Sequence, residues 1–448
     1  MEEIFAVALF ALVLAVIATE LLNRTVAALL GAAVIVSFGV VEQSEAASDF
    51  IDWNTIGLLA GMMIIVAILN KTGAFEYLAI KSGQWGKGRP GRILILLSLV
   101  TAFLSAFLDN VTTVILMVPV TFLIADALGV SALPFLLAQV MASNIGGAAT
   151  LIGDPPNILI GSAADLSFTD FVLNLAPVVL ISLPVVLGFF YLVFRRELKD
   201  GENAEETIER LDARGAIRDP VLLRKSSIVL GLVILGFFLH GALHLEAATI
   251  ALFGAAVLML YAKSDVEEVL REVEWPTLLF FVGLFVLVGG LEVTGFVGRI
   301  AERLTEASDS LAVTAMLVMW GSAIASGIVD NIPFTATMIP VIQELAATEG
   351  LSEAQVRPWW WALAIGADFG GNFTLIGASA NVVVAGMSDR AGKKISFLRF
   401  MAYGILVTLL SLVVATPYVL IRYYMSVMTP EDLGRATGAL QQVAEKYG

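Results

Sequence analysis

The residues best able to do chemistry in this 448-residue chain are four carboxylates set among amides, hydroxyls and glycines. Asp154 lies near the end of the string Ser143-Asn144-Ile145-Gly146-Gly147-Ala148-Ala149-Thr150-Leu151-Ile152-Gly153-Asp154-Pro155-Pro156-Asn157. Asp368 opens a second string, Asp368-Phe369-Gly370-Gly371-Asn372-Phe373-Thr374-Leu375-Ile376-Gly377-Ala378-Ser379-Ala380-Asn381. Asp109-Asn110 and Asp330-Asn331 interrupt two further apolar stretches, with Thr112, Thr113 and Thr335 close behind them. Hard oxygen groups of this kind suit Na⁺ or H⁺. A sodium ion could sit near Asp109, Asn110 and Gly147, and another near Asp330, Asn331 and Gly371. The pair Pro155-Pro156 removes backbone donors and strands the carbonyls of the preceding turn, so the helix has to open there. Opened helix ends then add carbonyl and N–H dipoles to the site.

Each of these residues also has a plainer reading. Asp109 and Asp330 can cap the helices that follow them, and Asp154 can cap a helix resuming at Pro155. Gly146, Gly147, Gly370 and Gly371 can serve close helix packing. Glu20, Glu246 and Glu292, near the ends of apolar segments, read as interfacial, as do His240 and His244.

The surroundings are those of a membrane. Hydrophobic residues make up 58% of the chain and charged ones 15%, against about 25% charged in ordinary soluble domains. Apolar segments near 4–22, 26–42, 54–70, 133–165, 171–194, 226–243, 247–262, 275–292, 358–386 and 398–424 predict ten transmembrane helices. The stretches 92–125 and 311–342 carry the Asp-Asn pairs midway, where a bare Asp in lipid is costly, so each is predicted to be a re-entrant hairpin. A net charge of −14 leaves no basic patch for nucleic acid, and the absence of Cys excludes disulfides and thiolate ligands. The N-terminus lacks a basic leader region, so its first apolar run reads as a retained span.

The chain repeats itself. Ile51-Asp52-Trp53-Asn54-Thr55 resembles Val273-Glu274-Trp275-Pro276-Thr277, and Gly61 and Gly73 fall opposite Gly283 and Gly295. Asp109-Asn110 and Pro119 recur as Asp330-Asn331 and Pro340, and the Gly-pair motifs recur at an offset of 224. The expected organisation is a first repeat over 1–195, a linker over 196–225, a second repeat over 226–425 and a polar tail over 426–448. Placing the N- and C-termini outside and the linker in the cytoplasm puts 20 of the 26 basic residues inside. Five spans per repeat then make the two repeats inverted. Amphipathic stretches at 74–85 and 296–307 are predicted to lie along the membrane surface.

Ser143 to Asn157, with the two tips and the second-half motif in register, resembles the signature of the arsenite permease / P-protein family of the ion transporter superfamily. That resemblance implies an all-α polytopic protein of the inner membrane, a homodimer in the lipid bilayer, and an elevator-type domain of hairpins and opened helices. The domain would slide against a scaffold made of the first three spans of each repeat. It implies efflux of arsenite, antimonite or a related small oxyacid, coupled to H⁺ or Na⁺ and with no other cofactor. Sodium–dicarboxylate symporters of the same superfamily carry Ser-Asn-Thr where this chain has Asp109-Asn110-Val111 and Asp330-Asn331-Ile332, which argues against a dicarboxylate. The site residues themselves, rich in carboxylate with no Lys or Arg near the motifs, point to Na⁺/H⁺ antiport as the alternative, with sodium-coupled organic or inorganic anion uptake as a third. An intramembrane aspartyl hydrolase using Asp109 and Asp330 as a dyad, and an ion channel, are the readings from other classes. No nucleotide-binding motif is present, so a secondary transporter is expected rather than an enzyme.

Overall fold

The computed structural model describes residues 1–19, 21–199, 204–263, 265–308 and 310–425. Glu20 and the expected polar helix of the tail lie outside the described residues. Among those described, the fold is all-helical with no strands. The first series of helices is α1 (Glu2–Ala18), α2 (Arg24–Ser37), α3 (Trp53–Asn70), α4 (Ala74–Trp85), α5 (Pro90–Ser105), α6 (Asn110–Leu128), α7 (Leu133–Gly147), α8 (Pro155–Ala163) and α9 (Ala176–Phe194). The second is α10 (Pro220–Leu243), α11 (Ala247–Ala262), α12 (Trp275–Val293), α13 (Phe296–Ala307), α14 (Leu311–Val329), α15 (Asn331–Thr348), α16 (Glu353–Gly370), α17 (Ser379–Arg390) and α18 (Phe397–Val419). Shorter helices lie between some of them, among them Phe168–Asn174 and Ala204–Glu209.

Seven helices among the described residues are long and apolar enough to cross a membrane: α3, α6, α9, α10, α12, α14 and α18 with the turn after it. Two of them, α6 and α14, are arms of the expected hairpins. Of the expected spans, 26–42 and 247–262 appear as the shorter α2 and α11, while 133–165 and 358–386 are each split in two. The cause of the splitting is local: Pro155 and Pro156 cannot donate to the preceding turn, and Gly370-Gly371 ends α16. The amphipathic stretches form helices with the expected bounds, each launched by a glycine at φ 79°, Gly73 and Gly295. The conformation is left-handed and suits glycine. The second series begins at Pro220, six residues before the apolar segment, because Asp219 caps that helix and Pro suits its first turn.

The third long helix of each series packs on the first two of the other: α3 on α10 and α11, and α12 on α1 and α2. Backbones touch at the centre of both seams. A Cβ on Gly61 would lie 2.7 Å from the Ala251 carbonyl carbon, and one on Gly283 would lie 2.6 Å from that of Ala28. Gly61→Val is therefore expected to force α3 and α11 apart and to lower stability by about 3 kcal/mol, read by thermal unfolding in detergent. Gly298→Ala, which meets nothing within 4 Å, should leave the melting point unchanged.

The remaining helices gather around the motifs. In each series the first hairpin arm lies along the helix that leads into the break, α5 on α7 and α14 on α16. The helix resuming after each break packs on the second hairpin arm of the other series, α8 on α15 and α17 on α6. The linker folds back on the first series: Arg218 N donates to Thr72 O at 2.9 Å, and Gln84 Nε2 donates to Leu211 O at 2.9 Å.

Candidate functional site

Helix α7 ends at Gly147 and the chain runs without α-helix to Pro155; α16 ends at Gly370 and the chain resumes as α17 at Ser379. Both breaks are tied down in one pattern. Thr150 Oγ1 donates to Ala106 O at the end of the first hairpin arm, and Thr374 Oγ1 to Gly327 O (2.5 Å) in the second. Asn157 Nδ2 donates to Thr150 O (3.0 Å) and, more weakly, to Gly147 O (3.5 Å). Asn381 Nδ2 donates to Thr374 O (2.9 Å) and Gly371 O (2.7 Å). The carbonyls freed by each break are thus satisfied by an amide ten residues after the Gly pair begins its turn, as burial demands.

The glycine pairs divide their work. A Cβ on Gly146 would lie 2.3 Å from Ala102 O, and one on Gly370 would lie 2.5 Å from Ala323 O, so these two permit the close crossing with the hairpin arm. Gly147 and Gly371 supply the freed carbonyls. Gly146 and Gly370 thus serve close packing, while Gly147 and Gly371 turn their carbonyls onto the amides that close the breaks.

Asp109 and Asp330 are helix caps. Asp109 Oδ1 accepts from Thr112 N at 2.8 Å, and its Oδ2 from Thr112 Oγ1 at 2.5 Å. Asp330 Oδ1 accepts from Ile332 N at 3.0 Å, and the residue makes the whole turn between α14 and α15 at φ 99°. Ser379 Oγ approaches its other oxygen at 3.4 Å. The amides beside these caps, not the caps themselves, reach the centre. Asn110 Nδ2 donates to Asp154 Oδ2 (2.8 Å) and Asn144 Oδ1 (3.2 Å); Asn331 Nδ2 donates to Asp154 Oδ1 (3.2 Å). Asn144 Nδ2 donates in turn to Asn372 Oδ1 and Asn381 Oδ1, both at 3.0 Å. Asp154 stands at the N-cap position of α8 but caps nothing, since Pro155 and Pro156 follow it; its carboxylate instead joins both hairpin tips. Every member of this cluster is buried. Thr113 and Thr335 are buried beside it with unpartnered hydroxyls. Among the described residues, no group of three His, Cys, Asp or Glu is arranged to hold a metal.

The expectation that no Lys or Arg lies near the motifs does not survive folding. Arg24, at the start of α2, donates to Ser379 Oγ and, at 3.2 Å, to Thr277 Oγ1, and its guanidinium lies over the Phe280 ring. Thr277 Oγ1 also donates to Glu274 Oε2 at 3.1 Å. Arg24 is drawn in because Thr25 Oγ1 donates to Pro276 O at 2.7 Å, which pins the start of α2 to the start of α12 beside the Asp330 tip. The signal was present in the repeat itself, where Glu274 and Thr277 fall opposite Asp52 and Thr55. Around Arg24 opens a cavity of about 590 Å³, lined by Thr277, Glu274, Asp330 and Ser379 on the polar side and by Val111 and Ile115 of α6 among its apolar walls. That volume is within the usual range for small-molecule sites. A narrow cleft shares Arg24, Glu274 and Ser379 with it and is also lined by Asp109, Asn110, Asp154 and Asn331.

Glu274, the residue just before α12, is half-buried. Burial, helped by the negative charge of Asp109, pushes it up to about 7 against the opposing pull of Thr277 and Arg24. His240 accepts a hydrogen bond from Phe168 N at 3.2 Å and holds a helix start in place.

Known proteins share this chain's sequence over most of its length. A family model described as Citrate transporter (CitMHS) matches residues 14–366. An uncharacterized transporter of Mycobacterium tuberculosis is 46% identical over 427 residues, which cover 94% of this chain and 99% of that one. The P protein of Homo sapiens is 35% identical over 500 residues, covering 93% of this chain and 60% of its own length. The resemblance to P proteins read from Ser143 to Asn157 is therefore borne out. Among solved structures, the YdaH transporter of Alcanivorax borkumensis has the same fold, with a TM-score of 0.56 at 15% identity over 94% of this chain and 98% of that one. With its apolar helices and buried polar centre, the chain belongs to the citrate transporter (CitMHS) family and is a multi-pass membrane transporter of the P-protein type.

Proposed function

We propose that this protein is a secondary active transporter of a small organic anion bearing carboxylates, taken up at the cavity around Arg24. The observation that carries the reading is Arg24 itself: one guanidinium, flanked by Thr277 and Ser379 hydroxyls, between helices of the scaffold and the motif that follows the second break. Its fork of donors matches a carboxylate. The arsenite reading is less well supported, since a neutral oxyacid offers no charge for a guanidinium, and the family description points to citrate. Na⁺/H⁺ antiport gives Arg24 and the apolar walls no role.

The remaining architecture belongs to the same proposal. The repeats lie inverted in the inner membrane, ten helices span it, and the termini are outside with the linker in the cytoplasm. The hairpins and opened helices move as an elevator within a homodimer. The equivalent hydrogen bonds at the two breaks and the exchanged packing of α3 and α12 support two related halves. The cavity lies between scaffold helices and hairpin tips, where such a movement would carry it across.

The test is uptake into proteoliposomes under an imposed pH gradient, comparing labelled citrate, succinate, arsenite and ²²Na⁺. Citrate uptake is expected, and transport of arsenite or sodium alone would overturn the reading. The pH dependence follows from Glu274. Above pH about 7 it is ionised and competes for Arg24; below that it is neutral and leaves the guanidinium to the substrate. Anion affinity should therefore rise as pH falls through about 7. Glu274→Gln should flatten that dependence at the high-affinity level, measured as half-saturation between pH 6 and 8.

A further inference from the structure

The two halves close their breaks with one hydrogen-bonding scheme, and at Asp368 the sequence departs from it. In register, Asn144 corresponds to Asp368 and Asn157 to Asn381, at the offset of 224. Asn144 Nδ2 donates to Asn381 Oδ1 at 3.0 Å, so the oxygen of the second-half amide is satisfied from the first half. The reciprocal bond should run from residue 368 to Asn157 Oδ1. There the chain has an aspartate. Asn157 is the side chain beside the Asp368 carboxyl. Its Nδ2 is turned onto Thr150 O and Gly147 O, and by the register with Asn381 its oxygen is the atom that would meet residue 368. Both oxygens of Asp368 and Oδ1 of Asn157 are buried without a donor. Three acceptor oxygens and no hydrogen in a buried site is a costly arrangement. One proton relieves it: a carboxylic acid donates where a carboxylate can only accept.

We infer that Asp368 is held as the neutral acid, donating its O–H to Asn157 Oδ1, and that this proton is the one the transporter couples to its substrate. Turning Asn157 over would not serve, because its oxygen would then face two carbonyls. The carbonyls freed at Gly147, Thr150, Gly371 and Thr374 each accept a hydrogen bond from Asn157 or Asn381. Of the groups around Asp368, Asp154 is the titratable one that acts on it. Two hydroxyls that reach the backbone on either side of Asp368 are spent there: Ser326 on Ala367 O and Thr408 on Phe369 O. When the proton leaves for water, the bond between the break of the first half and α16 is lost with it. Proton release and relative movement of the two halves become one event. The protonation state is independent of what the substrate is; only the coupling role rests on the transport reading above.

The experiment is infrared spectroscopy of the purified protein in detergent at neutral pH, without substrate. The wild type should show a protonated-carboxyl C=O band that Asp368→Asn abolishes and Asp154→Asn retains. Asn157→Ala should shift that band to the higher frequency of a carboxylic acid without a hydrogen-bond acceptor. Asp368→Asn restores the residue type found at position 144, so it should fold and melt as the wild type does. In proteoliposomes it should still exchange internal for external citrate but no longer accumulate it under a pH gradient. A wild-type spectrum with no protonated-carboxyl band, or one unchanged in Asp368→Asn, overturns the protonation. Full gradient-driven accumulation by Asp368→Asn overturns the coupling. If wild-type protein shows the band and moves no citrate, the substrate assignment fails and the proton site stands.

Discussion

Arg24→Ala should raise the half-saturation for the transported anion by about a hundredfold, with little change in the melting temperature. A charge-assisted hydrogen bond is worth about 1.5–3 kcal/mol, and a forked guanidinium makes two of them to a carboxylate. The upper value alone is about two decades in affinity. Removal also leaves Glu274 and Asp330 facing the cavity as uncompensated negative groups, which opposes an anion further. Stability should hold, because the hydroxyls of Thr277 and Ser379 keep partners in Glu274 and Asp330, and Thr25 still pins α2 to α12. Arg24→Lys should fall between, since an ammonium keeps the charge and loses the fork. The measurement is initial-rate uptake against concentration in proteoliposomes; unchanged half-saturation in Arg24→Ala would remove the anion reading.

Asp154→Ala should cost both transport and fold. The Asp154 carboxylate joins the two hairpin tips, accepting from Asn110 and from Asn331. Truncation leaves two buried amide N–H groups without that acceptor, at about 1–3 kcal/mol each. A loss of about 2–6 kcal/mol follows, and the tips become free to separate. Asp154→Asn is the sharper probe. Its single amide oxygen can serve one tip, while its NH₂ meets the other tip donor to donor. About half the destabilisation should remain, and transport should fall at least tenfold. Thermal unfolding in detergent measured beside citrate exchange separates the two effects. Wild-type stability in both variants would show that the tips are held apart from Asp154.

Much of this arrangement is legible in one sequence because it rests on local chemistry. Pro155-Pro156 opens a helix in any surroundings, an Asp before Asn110 or Asn331 caps the helix that follows, and Gly73 and Gly295 launch the same amphipathic turn. What stayed hidden depends on distant segments meeting. Arg24 is 355 residues from Ser379, and no local pattern marks it as a site residue until α2 and α12 are packed. The sequence marks the four carboxylates as a group but leaves their places open. Asp109 and Asp330 are occupied as caps, and the neighbouring Asn110 and Asn331 do the reaching. Asp368 was readable in principle, since the register that pairs the glycines also sets it opposite Asn144. Its meaning appears only when Asn157 is seen with its donors already used.

The exchange of α3 and α12 between the two series also bears on how the chain is made. α3 leaves the ribosome with its seam of Gly57 and Gly61 bare, and its partner α11 follows roughly 180 residues later. At ordinary rates of synthesis, about 5–20 residues per second, that is about ten to forty seconds before α11 is made. During that interval a smooth glycine face is open to any passing helix. A nascent chain stalled before residue 247 therefore lacks the helix that fills this seam.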